Sequence, residues 1–89
     1  MNYELTFTDG GKRALSRLDP ANKERVKQKL TRIATCHYRH PADWDFEQMS
    51  GCCEGRFRLT DEFRVFADID EERGVIRIHH IGRRENLYT

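Results

Sequence analysis

Apolar and polar positions alternate at the start of the chain. Tyr3, Leu5 and Phe7 fall on one side and Glu4, Thr6 and Thr8 on the other, which predicts a half-buried strand over 3–8. The period then changes. Ala14, Leu15 and Leu18 form a short helical stripe, with Asp9 as the expected N-cap. Asp19-Pro20 closes that helix and opens another, because proline at a first helical position loses no hydrogen bond. Val26, Leu30, Ile33 and Ala34 recur at i, i+4, i+7 and i+8, the spacing of one helix face. Two helices joined this tightly are expected to form an antiparallel hairpin.

From Cys36 to Gly55 the periodicity is lost, and the segment reads as an irregular connection pinned to the core by Trp44, Phe46 and Met49. Strand alternation then returns three times. Phe57 and Leu59 alternate with Arg56 and Arg58. Val65, Ala67 and Ile69 alternate with Arg64, Phe66 and Asp68. Val75 to Ile81 forms the last run. Thr60-Asp61-Glu62 and Asp70 to Gly74 are the turns between them. The expected architecture is α+β. It is a two-layer sandwich of an N-terminal strand, a helical hairpin and a three-stranded antiparallel meander, with residues 1–89 as one domain.

Composition narrows the class. The 89 residues are 37% hydrophobic and 35% charged. The apolar residues are clustered, which argues against disorder. No apolar run nears the roughly 18 residues of a membrane span. The start of the chain does not read as a secretory signal, so the cytoplasm is the expected location. Three cysteines, two of them adjacent, do not make a disulfide framework. Cys36, His37, His40, Cys52 and Cys53 include enough ligand types for zinc, but adjacent cysteines chelate poorly, and no metal or cofactor is expected.

The net charge of +1 hides a segregation. From Lys12 to Arg39 nine basic residues face two acids. From Pro41 to Gly55 there are four acids and no base. From Arg56 onward there are seven arginines and no lysine. This distribution permits an anionic partner, although a basic helix face also reads simply as solvated. The meander turns Arg58 and Arg64 toward one face. A planar guanidinium matches phosphate oxygens two at a time. Asp68 and Glu62 lie near Arg64 in sequence, so a structural ion-pair role stands beside the phosphate one.

Arginine is a clamp and not a proton carrier. In RNA the 2′-hydroxyl supplies the nucleophile, so a site needs fixed positive donors with a base and an acid. The proton-transfer candidates are His79, His80, Glu85 and Tyr88. Regular alternation would put His79 and His80 on opposite faces, and Tyr88 also serves as a stacking platform for a base.

The Gly-x-Phe-Arg-Leu segment at 55–59, the Phe-Arg-Val-Phe segment at 63–66 and the ending Ile-Gly-Arg-Arg-Glu-Asn-Leu-Tyr at 81–88 together resemble the RelE/ParE superfamily of type II toxins, RelE-like branch. The resemblance implies an endoribonuclease that cuts mRNA in the ribosomal A site without a metal and is neutralised by a cognate antitoxin. It implies catalytic roles for Arg58, Arg64, Arg84 and Tyr88. Arg56, Arg83 and His80 would hold RNA phosphate. Assembly as a homodimer or a toxin–antitoxin hetero-oligomer is expected. Arg83 stands where many relatives have histidine, so it cannot exchange protons as that histidine would. Arginines stand on the first meander strand where the best-known members have lysine. A ParE-like gyrase inhibitor, or a non-toxic relative that only binds an antitoxin, is the alternative.

Overall fold

The computed structural model describes residues 2–49 and 53–83. The elements run β1 (Glu4–Phe7), α1 (Asp9–Ser16), α2 (Pro20–Thr35), a 3-10 turn (Pro41–Asp43), β2 (Phe46–Gln48), β3 (Gly55–Arg58), β4 (Phe63–Asp70) and β5 (Val75–Arg83). The strands form one sheet in the order β1-β5-β4-β3-β2. β1 runs parallel to β5, and every other pairing is antiparallel. The architecture is therefore α+β as expected, with two helices over one face of the sheet. Val26, Leu30, Ile33 and Ala34 of α2 are buried together with Phe57, Val65, Ala67, Ile76, Ile78 and Ile81 of the sheet.

Three local expectations change. The cap of α1 is Thr8 and not Asp9: its Oγ1 accepts from the Gly11 amide at 3.2 Å and donates to the Ile78 carbonyl, also at 3.2 Å. One hydroxyl thus starts the helix and ties it to β5. The approach is so close that a Cβ at Gly11 would overlap the Ile78 carbonyl oxygen, so only glycine fits there. Asp9 sits in the first turn, where a carboxylate favours the helix dipole. Asp19 does cap α2 by position, but its carboxylate accepts from the Asn22 side chain at 2.6 Å rather than from a helix amide.

The connection between α2 and β3 contains a strand that period reading missed. β2 has only three residues, too few for alternation to register. It pairs with β3 as Phe46↔Phe57, Glu47↔Arg56 and Gln48↔Gly55, and the Phe46 and Phe57 rings pack with centroids 4.7 Å apart. Gly55 admits this approach, since a Cβ there would meet the Glu47 carbonyl and the Phe46 ring. Trp44 and Phe46 do pack on the core, whereas Met49 is exposed.

The third change is a β-bulge. Phe66 pairs with His80 but Ala67 pairs with Ile78, so His79 is an extra residue in β5. The inward side chains Ile78 and Ile81 are buried on either side of it. Both histidines therefore lie on the face away from the helices, contrary to the regular alternation expected of them.

Candidate anion-binding site

The helix-free face of the sheet carries its polar side chains in rows set by strand register. One row is Arg58 on β3, Arg64 on β4 and Gly82 on β5. The next is Glu47, Arg56, Phe66 and His80, drawn from four strands. A third holds Asp68 and Arg77.

Arg64 is the unusual member. It is only 4% exposed, and its Nη1 donates to the backbone carbonyls of Thr60 at 2.9 Å and Phe63 at 3.2 Å. Neither Asp68 nor Glu62 pairs with it, and among the described residues no carboxylate does. Carbonyl dipoles orient the guanidinium without cancelling its charge. A buried cation in that state is costly unless an anion completes it. The carbonyls belong to the β3–β4 turn, whose shape is held by Thr60 Oγ1 accepting from the amides of Glu62 and Phe63.

Arg58 lies directly across from Arg64. Its side chain is exposed and has no hydrogen-bond or ion-pair partner among the described residues. Arg56 donates from Nε at 2.8 Å to Glu47 Oε2, which also lies 2.7 Å from its Nη2. Asp45, Phe46, Glu47, Arg56, Arg58 and Arg64 line one groove of about 400 Å³. A second cavity of about 500 Å³ opens on the other side of Arg58, toward Arg25 and Lys29 of α2.

The remaining candidates divide. His80 sits one row from Arg64, with its ring 5.9 Å from that of Phe66. His79 is engaged elsewhere: its Nε2 lies 2.7 Å from Asp68 Oδ2. Burial would raise the Asp68 pKa, but the His79 hydrogen bond, the Glu54 amide and the charges of His79 and Arg77 outweigh it. The carboxyl is held below its ordinary value. Arg83 pairs with Phe63 and places its guanidinium 5.7 Å from that ring, on the helix side of the sheet and away from Arg64. Arg84, Glu85 and Tyr88 lie outside the described residues.

Among the described residues no three metal-ligating side chains gather, and Cys52 is outside them. His40 is used internally: Nδ1 accepts from the Ala42 amide at 3.0 Å, and Nε2 lies 2.8 Å from Glu71.

Sequence reasoning overlooked Glu47. It lies in the segment read as irregular, so nothing linked it to the arginines. An acidic residue directly across a hairpin from a basic one is a recognised pairing, but the hairpin must first be seen.

No family model and no curated protein sequence matches the chain. Solved structures do match its fold. A chain of the RelBE2 toxin–antitoxin complex of Mycobacterium tuberculosis superposes with a TM-score of 0.73 at 19% identity, covering 94% of this chain and 93% of that one. The archaeal RelE–RelB complex of Pyrococcus horikoshii gives 0.70 at 22% identity, covering 94% and 97%. YafQ of E. coli gives 0.61 at 12% identity, covering 99% and 100%. The chain therefore shares the RelE-like fold of these structures over nearly its full length.

Proposed function

We propose that this chain is the toxin of a type II toxin–antitoxin system and acts as a ribosome-dependent mRNA endonuclease. One observation carries the reading: Arg64 is a buried cation with no carboxylate partner among the described residues, and it opens with Arg58 and Arg56 onto one groove. Such a cluster suits a phosphodiester, on which negative charge grows as the 2′-hydroxyl attacks. In this mechanism Arg64 and Arg84 stabilise the developing charge, Arg58 and Arg56 assist, and Tyr88 orients the nucleotide or donates a proton. RNA supplies the nucleophile, so no metal need generate one.

The RelE-like fold supports a toxin role, and fold alone does not distinguish nuclease from gyrase inhibitor. The arginine groove favours the nuclease, because a protein-binding inhibitor has no need of a buried guanidinium left open to an anion. The antitoxin would be a small protein whose acidic residues occupy the same groove in place of phosphate. No helix of the described residues is long and apolar enough to cross a membrane. Mapping mRNA 5′ ends after brief induction tests the proposal. Cuts in phase with codons are expected, and intact mRNA alongside DNA damage would replace this reading with gyrase inhibition.

A further inference from the structure

We propose that Glu47 is the general base of the cleavage reaction, an inference that rests on the nuclease reading above. Arginines stabilise charge but cannot accept a proton, and a 2′-hydroxyl must lose one to attack. Glu47 is a carboxylate in the arginine groove itself. It is brought there by β2 and faces Arg56 across the hairpin. Its side chain is 66% exposed, so it is open to a bound strand. An exposed ion pair of this kind contributes little to stability, ordinarily about 0–1 kcal/mol. Fold maintenance is therefore a weak reason for it.

The pair is better understood by its atoms. Arg56 makes both contacts to one oxygen, Oε2. Oε1 has no hydrogen-bond or ion-pair partner among the described residues, and Glu47 lines the groove. The groups around it are Asp45 ahead of β2, Arg56 and Arg58 on β3, and Arg64 on β4, with His80 of β5 in the same cross-strand row. A phosphate held by Arg58 and Arg64 would bring an adjoining ribose to the Glu47 side. Glu47 then takes the 2′-hydroxyl proton as the O2′–P bond forms and the P–O5′ bond breaks. The leaving 5′-oxygen takes its proton from solvent water. The products are a 2′,3′-cyclic phosphate and a 5′-hydroxyl, and Glu47 returns its proton to solvent.

The alternative role, orienting Arg56 only, is separable by chemistry. Glutamine retains an oxygen that can accept from Arg56 but is no base. The test is single-turnover cleavage of a short mRNA on programmed ribosomes by the wild-type chain, Glu47→Gln and Glu47→Ala, over a range of pH. Binding of the same mRNA carrying a 2′-O-methyl group at the cut position is measured in parallel. The base role predicts that Glu47→Gln cleaves about 100-fold slower or worse, loses the acid limb of the rate profile, and binds the blocked mRNA as the wild type does. Near wild-type cleavage by Glu47→Gln, with Glu47→Ala impaired, would assign Glu47 to positioning and overturn the proposal while leaving the nuclease reading intact. No cleavage by the wild type would overturn both.

Discussion

The two ends of the helix-free sheet face carry similar charged residues in opposite electrostatic states. At one end Asp68 receives His79 at 2.7 Å and the Glu54 amide at 2.6 Å, while Glu54 Oε2 accepts from the Ile69 amide. Nearly every charge there meets a complement from within the chain. At the other end Arg58 and Arg64 face each other across two strands without a carboxylate between them. A satisfied network holds a fold together. A cluster of like charges, one of them buried, is strained until something outside supplies the opposite sign. The contrast sets the arginine groove apart more sharply than the number of arginines does. Arg77 and Arg64 are both arginines on the same face, and only one belongs to the groove.

The contrast can be broken first at Arg64. Arg64→Ala is expected to lower single-turnover cleavage by about 10²–10³-fold, the usual cost of removing one aimed donor from a transition-state site. Thermal unfolding should change little, because a buried unpaired cation is lost with the side chain. A large fall in melting temperature with unchanged cleavage would make Arg64 a structural residue instead.

Gly11→Ala addresses the opposite end, where α1 meets β5. The added Cβ would overlap the Ile78 carbonyl, and overpacking of this kind costs about 1–3 kcal/mol. Urea unfolding reads that loss directly. Whatever activity remains per folded molecule should match the wild type, since the arginine groove lies beyond the bulge.

The smallest effect is expected at Asp68. Its folded pKa lies below the unfolded one, so its contribution is present above the unfolded value of about 3.9 and disappears as pH falls through the folded value. Asp68→Asn should therefore cost about 1 kcal/mol at neutral pH, discounted for partial exposure. It should also flatten the wild-type loss of stability on acidification below pH 4. Parallel acid denaturation curves for both proteins would show that the His79–Asp68 pair contributes nothing.

Much of the fold was legible in the pattern of residues. The helix stripe at Val26, Leu30, Ile33 and Ala34 and the alternations in β1, β3 and β4 rest on repeats long enough to read, and these residues supply most of the core. What was not legible came in short or aperiodic form. β2 is below the length at which a period shows. The bulge at His79 adds one residue without any change of composition, and reverses the inference about both histidines. Thr8 and Asp9 are both good caps, and the choice depended on a contact with Ile78, 70 residues away. At the site, Arg56, Arg58 and Arg64 could be named from alternation. The burial of Arg64, the diversion of Arg83 to Phe63 and the presence of Glu47 are products of tertiary register, which no local pattern encodes.

The bulge also divides the sheet into two panels. β1 pairs only with Val75 to Ile78 of β5, the stretch before the extra residue. The groove's neighbours on β5, His80 and Gly82, belong to the stretch after it. α1 begins at the joint, with Gly10 and Gly11 against the carbonyls of His79 and Ile78. For protein engineering this means that the N-terminal strand anchors to the panel without the arginine groove. A fusion or surface tether attached through that end would pull on the strand paired with Val75 to Ile78, in the panel that does not carry the arginine groove.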